Sequence, residues 1–168
     1  MQITLSKSED IPQIFKLYDE AIDYQKSVKG NAWKGFDVAL VEQEISENRH
    51  YVIKEDGAIA CTFVLAFDDE LIWKEANKDK AVYVHRISVN PSFRGKGYVK
   101  IIINWLKQNA VDFDIDYIRL DTESGNERIN QHYINCGFTY KGLTMPNWEE
   151  GMPLHYKNAT LSLFEIIL

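Results

Sequence analysis

Cysteine is scarce in this chain. Cys61 and Cys136 stand far apart, and neither belongs to a C-x-x-C. With no His/Cys cluster at ligand spacing, neither a zinc site nor any other metal is expected. Both cysteines are expected as buried, reduced core residues. His132, four residues before Cys136, could pair with it as a nucleophile, but reads better as a surface histidine beside a packed thiol. Long apolar runs are also lacking. Nothing approaches the ~20 residues of a membrane span, so no membrane partner is expected. The opening "MQITLSKSED" has no signal-peptide apolar region, which makes the cytoplasm the expected location. An excess of positive charge is missing too: Lys and Arg number 19 against 25 Asp and Glu, a net charge of −6. That balance leaves no basic face to displace phosphate counterions and argues against nucleic acid as a partner. It suits a cationic small molecule or a lysine-bearing partner. Repeats, low-complexity tracts and Pro/Gly/Ser linkers are absent, so residues 1–168 are expected to form a single domain around a real core.

What is present is alternation between two hydrophobic periods. Residues 3–5 suit a short strand. Ser8 is placed to cap a helix whose apolar face is Ile11, Ile14, Phe15, Tyr18 and Ile22. Residues 28–37, "VKGNAWKGFD", read as a loop, and Asp37 opens a second helix carrying Leu40, Val41 and Ile45. "HYVIK" and "AIACTFVLAF" read as strands around the turn Glu55-Asp56-Gly57. The charged residues 68–80 read as a surface excursion. "AVYVHRISV" is a strand, and Val99, Ile102, Ile103 and Leu106 form a helical stripe after it. "YIRLDT" is a strand, residues 126–135 a helix closed by Cys136-Gly137, and "FTYKG" and "ATLSLFEIIL" supply the last strands. The expected fold class is α/β (α+β): a central mixed sheet of about seven strands flanked by about four helices, with one βαβ crossover.

The junction "VNPSFRGKGYVK" places Arg94, Gly95, Lys96 and Gly97 between a strand and a helix. It is not a nucleoside-triphosphate loop: Asn90 stands where the first glycine belongs, and Gly97 replaces the Ser or Thr after the lysine. It is not the dinucleotide pattern either, because Lys100 occupies the third glycine position. The physical capacity remains. A helix start leaves amides unpaired, and glycines let those amides approach an anion closely. The other reading is a tight surface turn with a solvated basic tip.

Val89-Asn90-Pro91 followed by Arg94-Gly95-Lys96-Gly97-Tyr98-Val99 resembles the [QR]-x-x-G-x-[GA] signature of the GNAT superfamily of acyl-CoA-dependent N-acyltransferases. Asn126, Ile129, Tyr133 and Gly137-Phe138 resemble a second element of that family, and the order of elements agrees along the whole chain. Val99 departs from the pattern, standing where the family has Gly or Ala. The resemblance implies a GNAT-like fold with acetyl-CoA (coenzyme A) as cosubstrate and no metal. By that likeness Ile87, Ser88 and Val89 lie at a strand bulge and pair with the pantetheine arm. Arg94, Gly95, Lys96, Gly97, Tyr98 and Val99 would hold the diphosphate, and Asn126 would bond the cofactor near its thioester.

The implied chemistry is direct attack of a primary amine, on a small molecule or a peptide, upon the thioester carbonyl. Tyr133 matches the family's general acid; its other reading is a helix tyrosine packed near the cap. A base must first take a proton from the ammonium. His85 is the first candidate, with a pKa range suited to the task, and a hydrogen-bonded strand histidine is the alternative. Asp121 is the second candidate, either as base or as an anchor for the amine, and a water relay is a third route. Trp33, Phe36 and Trp148 are candidates for packing the acceptor, from the loop at 28–37 and the segment 147–152; as core plugs they would do none of this. The same fold without turnover would be an acyl-CoA-binding sensor or partner subunit. The apolar C-terminal strand "LSLFEIIL" is expected to lie at a sheet edge, where it could pair with a second copy as a homodimer.

Overall fold

The computed structural model describes residues 1–28 and 32–168. Its seven strands lie in the order β1-β2-β3-β4-β5-β7-β6. They are β1 (Gln2–Leu5), β2 (His50–Glu55), β3 (Ala58–Ala66), β4 (Ala81–Val89), β5 (Tyr117–Glu123), β6 (Thr139–Thr144) and β7 (Leu161–Ile167). Five α-helices accompany them: α1 (Ile11–Ser27), α2 (Val38–Ser46), α3 (Glu70–Trp73), α4 (Tyr98–Gln108) and α5 (Glu127–Asn135). The mixed α/β class expected from the sequence is observed. The chain divides into two compact units, each assembled from separate stretches.

The first unit comprises Met1–Leu65, Arg86–Tyr98 and Pro153–His155. β1 and β2 pair antiparallel from Gln2↔Lys54 to Leu5↔Tyr51. β2 and β3 form the expected hairpin, with Asp56 at φ 52° and Gly57 at φ 78°. Positive φ at both central positions is what a tight hairpin turn requires, and Asp-Gly supplies it. On α1, Ile14, Leu17, Tyr18 and Ile22 are buried, as the 3.6-residue period dictates. Its start differs from the expectation. Ser8 opens a 3-10 turn, and Asp10 accepts from the Lys7 amide at 2.9 Å, so the α-helix begins only at Ile11.

A polar chain crosses this core. His50 is fully buried on β2, with Ser6 Oγ 2.7 Å from Nδ1 and Tyr18 Oη 2.9 Å from Nε2. Arg86 forms an ion pair with Glu44, and its guanidinium lies 4.8 Å from the Phe36 ring centre and 5.7 Å from that of Tyr18.

The second unit comprises Ala66–His85, Val99–Met152 and Tyr156–Leu168. β4 and β5 are parallel, paired from Ala81↔Tyr117 to Tyr83↔Arg119. α4 supplies the βαβ connection, with Val99, Ile102, Ile103 and Leu106 buried. Three expectations are corrected here. β7 pairs with β5 on one side and β6 on the other, so the C-terminal strand is interior and cannot template a homodimer. Its near-continuous apolar run reflects burial on both flanks rather than an exposed edge. Cys61 is buried, but Cys136 is only half-buried at the end of α5. Residues 68–80 are a surface excursion only in part: most are exposed, but the segment is anchored. Ile72 and Trp73 are buried, and the buried Arg119 reaches the segment by donating to Ala76 O at 2.6 Å and pairing with Asp79. A buried guanidinium must find acceptors; here Glu165 provides another, at 2.9 Å from Nε.

Burial, reinforced by the Arg86 guanidinium, pushes the His50 imidazole from 6.5 down to about 3. A base with a depressed folded-state value contributes stability above its unfolded value and loses it as pH falls from 6.5 toward 3. The stability of wild type relative to His50→Gln should therefore fall by about 1.4 kcal/mol per pH unit below pH 6. Urea titrations between pH 4 and 7 check this; parallel pH dependences for the two proteins would refute it.

Candidate active site

In the first unit, Asn90 holds the junction between β4 and α4. Its amide donates to Ala60 O at 2.9 Å, its side-chain NH2 to Ile59 O at 3.1 Å, and its Oδ1 accepts from the Ser92 amide at 3.0 Å. A 3-10 turn over Pro91–Phe93 follows, and then the exposed residues Arg94, Gly95, Lys96 and Gly97. Gly95 and Gly97 sit at φ 84° and 74°, and a Cβ built on either would meet nothing within 4 Å. Among the described residues no acceptor is found for the backbone amides of Gly95, Lys96 or Gly97. The turn therefore offers unpaired N–H groups beside the start of α4, a concave arrangement suited to an anion. Its cations already have neighbours. Lys96 Nζ lies 2.7 Å from Glu55 Oε1, and the Arg94 guanidinium is 4.8 Å from the Tyr24 ring centre. Tyr98 is buried and donates to Glu55 Oε2 at 2.7 Å, so one carboxylate grips both ends of the turn.

Just upstream, Arg86 has φ 50° in the middle of β4. Such a residue breaks the regular ladder, as a bulge does. The next residues are Ile87, Ser88 and Val89. Ser88 is buried and its hydroxyl donates to Leu17 O at 3.0 Å, which fixes which face of the strand each side chain takes. Trp33 and Phe36 pack against the core of α1, with ring centres 5.3 Å apart and Phe36 5.0 Å from Tyr18. Lys29, Gly30 and Asn31 of the 28–37 loop lie outside the described residues.

In the second unit, the two base candidates are neighbours. His85 Nδ1 lies 3.6 Å from Asp121 Oδ1. Its Nε2 lies 3.3 Å from Asp69 Oδ2, and one potential ligand atom from each of the three residues lies within 4.8 Å of the other two. Asp121 is the most deeply buried of the three, its side chain only 4% exposed. Burial pushes its carboxyl from 3.8 up to about 6; the His85 charge opposes the shift, Asp69 adds to it, and the Tyr156 hydroxyl donates to the carboxylate. Sequence reasoning missed Asp69. It belongs to the charged stretch 68–80, where no periodicity marked it, and only the buried Ile72 and Trp73 beside it signal a segment folded inward.

Tyr133 is half-buried on α5, with its ring 6.0 Å from Phe138 and 5.4 Å from Phe164. Asn126 is the N-cap of that helix, its Oδ1 accepting from the Ile129 amide at 3.1 Å. Trp148 is half-buried, with Lys157 Nζ 4.8 Å from its ring centre. Val99, the departure from the signature, is buried on α4.

Strand order, a parallel β4–α4–β5 crossover and an anion-ready turn at the start of α4 define an acyltransferase-type fold. Residues 14–138 match the acetyltransferase (GNAT) family, and the chain belongs to it. It is 22% identical over 142 residues to an uncharacterized N-acetyltransferase of Bacillus subtilis (strain 168), YesJ, spanning 80% of this chain and 79% of that protein. It is 32% identical over 94 residues to a streptothricin acetyltransferase of Escherichia coli, spanning 54% and 52%. The crystal structure of a GNAT-family acetyltransferase from Listeria monocytogenes 4b F2365 superposes with a TM-score of 0.77 at 25% identity, covering 99% of this chain and 94% of that one. The family and the fold class read from the sequence both hold.

The raised Asp121 carboxyl has a consequence for stability. An acid with a raised folded-state value contributes most below its unfolded value of 3.8 and loses that contribution as pH rises through about 6. Asp121→Asn should therefore raise the melting temperature relative to wild type at pH 7.5 and lose the advantage at pH 4. Calorimetry at the two pH values measures this; an equal offset at both would contradict it.

Proposed function

We propose that the chain is an acetyl-CoA-dependent N-acetyltransferase acting on a primary amine of a small molecule or peptide. The observation that supports it most is the set of unpaired amides at Gly95, Lys96 and Gly97, in the family's signature register. Coenzyme A fits that chemistry: the amides, with Arg94, Lys96 and the amides of Tyr98 and Val99, would hold its diphosphate. The backbone of Ile87, Ser88 and Val89 would pair with the pantetheine amides, and the Asn126 side-chain NH2 would remain for a cofactor carbonyl. Bound, the coenzyme supplies an activated acetyl thioester.

The proton traffic falls to His85, Asp121 and Tyr133. His85, beside Asp121, takes one proton from the acceptor ammonium and exposes the nitrogen lone pair. The N–C bond then forms, the C–S bond breaks with its electrons going to sulfur, and Tyr133 gives the sulfur its phenolic proton. The remaining surplus N–H proton of the adduct restores the tyrosine. The products are an amide, a thiol and one proton held by His85. Fixed geometry contributes most of the acceleration, and proton transfer about 10²–10⁴-fold. Trp33, Phe36 and Trp148 are proposed to shape the acceptor's surroundings through aromatic surface. The named activity of the streptothricin relative is in keeping with an amine acceptor.

Thiol release from acetyl-CoA across a panel of amines tests the activity; tight coenzyme binding without amine-dependent thiol would instead support a sensor or partner subunit. Tyr133→Phe keeps the ring that packs on Phe138 and Phe164 but removes the proton. It should lower kcat by roughly 10²-fold or more while KM for acetyl-CoA changes little, and unchanged turnover would remove Tyr133 from the mechanism. Gly97→Asp should weaken coenzyme binding at least about tenfold beyond Gly97→Ala, because both share the strained φ and only Asp brings charge to the phosphates. Equal affinities by calorimetric titration would count against the turn.

A further inference from the structure

The transfer proposed above leaves Asp69 without a task, yet the fold brings it to His85 and Asp121. His85 and Asp121 each lie two residues beyond the paired Tyr83 and Arg119 of β4 and β5, so their side chains leave the sheet on one face. Asp69 joins them from the segment before β4. Its amide donates to Asn77 Oδ1 at 2.7 Å, and its carbonyl accepts from the amides of Ile72 at 3.2 Å and Trp73 at 2.9 Å. Asp69 Oδ2 and Asp121 Oδ1 are both buried, and neither accepts a hydrogen bond. The Asp121 side chain is only 4% exposed; the Tyr156 hydroxyl donates to the carboxylate, but Oδ1 faces the His85 ring with no donor of its own. A buried carboxylate oxygen left in this way is costly, and an ion is one of the few things that can satisfy two at once.

The spacing distinguishes between cations. One potential ligand atom from each residue lies within 4.8 Å of the other two. An ammonium keeps its acceptors about 2.7–2.9 Å away, which sets them about 4.4–4.7 Å apart on a tetrahedron. A zinc-sized ion, with N and O ligands at about 2.0–2.2 Å, sets them about 3.3–3.6 Å apart. His85 Nε2 and Asp69 Oδ2 already stand 3.3 Å apart, the metal spacing. The rest of the trio needs to contract by no more than about 1.5 Å to reach it.

We propose that Asp69, His85 and Asp121 form a binding site for a divalent first-row metal ion of the zinc type, ligated by one imidazole nitrogen and one oxygen from each carboxylate. Water completes the coordination. The imidazole tells against magnesium and calcium, which take oxygen ligands. Two carboxylates balance the ion's double charge, and the partial exposure of His85 and Asp69, 18% and 12%, gives it a way in. The site stands whether or not His85 is a base. Where His85 is the base, a ligated nitrogen has no lone pair for the acceptor's proton, and the ion repels the ammonium, so bound metal holds the transferase idle.

The test must separate this trio from a rival for zinc, His132 and Cys136, whose Nε2 and Sγ lie 3.9 Å apart. Calorimetric titration of the EDTA-stripped full chain with zinc chloride at pH 7.5, in a Cys136→Ser background, should show one ion bound per chain. In that background Asp69→Asn, Asp121→Asn and His85→Gln should each weaken binding at least about tenfold. Equal affinity in all three, which marks an adventitious ion only, overturns the proposal, as does no binding at about 1 mM zinc. A readout that needs no ligand variant is anomalous scattering at the zinc edge from a soaked crystal of the wild-type chain. A peak between Asp69, His85 and Asp121 is expected; a peak at Cys136 alone, or none, overturns the site. These measurements report binding only. The base reading fails separately, if His85→Gln releases thiol as fast as wild type in metal-free buffer.

Discussion

The backbone of β4 at Arg86 is the constraint from which the rest follows. A non-glycine residue at φ 50° within a strand is disfavoured by about 1–2 kcal/mol. It persists because its side chain is held elsewhere, by the ion pair with Glu44 and by the faces of Phe36 and Tyr18. Breaking such a buried pair strands a charge, so the kink is locked by electrostatics rather than by local preference. His85 precedes the kink and Ile87, Ser88 and Val89 follow it. One guanidinium thereby fixes the direction in which Ile87, Ser88 and Val89, proposed to pair with the cofactor, leave the kink. Phe36, read from the sequence as an acceptor contact, is also part of that lock.

Two buried ionisable groups shape the pH response in opposite senses. His50 favours the folded chain increasingly as pH rises through the window from 3 to 6.5, and Asp121 favours it decreasingly from 3.8 to 6. Between pH 4 and 6 the two slopes largely cancel. A nearly flat wild-type profile is thus compatible with two strongly perturbed groups, and only variants that remove one of them expose the other. The distinction matters for function. The cost of keeping His50 neutral supports a core, whereas the cost of ionising Asp121 is concentrated beside His85, the histidine proposed to receive a proton.

Most of the fold was legible because each element had a local signal. The hairpin was written in Asp56-Gly57, α1 and α4 in their apolar stripes, and the anion-ready turn in two glycines at a strand-to-helix junction. The failures share a different cause. β7 was read as an edge because a continuous apolar run does not reveal whether its neighbours are strands or solvent. Residues 68–80 were read as a surface excursion because their charge dominates their composition, and most are exposed, but the buried Ile72 and Trp73 and the contacts with Arg119, far along the chain, left no local signal. Asp69 could not be found from spacing: its partner is a histidine sixteen positions away whose importance is set by a third residue, Asp121. Sites built by long-range pairing of charges leave no periodic trace, whereas sites built by backbone conformation, such as the turn at Gly95 and Gly97, leave glycines.

That difference also bears on how the turn can select its ligand. Its two cations are engaged, Lys96 with Glu55 and Arg94 with the Tyr24 face, so the resting turn presents little free positive charge. An exposed lysine–carboxylate pair contributes only about 0–1 kcal/mol, and a diphosphate with charge-assisted bonds to Lys96 can displace Glu55 at small cost. Glu55 does more than neutralise. Through Tyr98 Oη it anchors the first residue of α4, and it keeps that contact when Lys96 leaves. Monovalent carboxylates would meet the same anchored helix start, but they offer too little charge to draw both cations from their partners. If the turn binds coenzyme A as proposed, selectivity for a diphosphate would arise from the conversion of two weak internal contacts into several strong external ones, over amides that have no acceptor among the described residues and that the glycines at φ 84° and 74° leave uncovered.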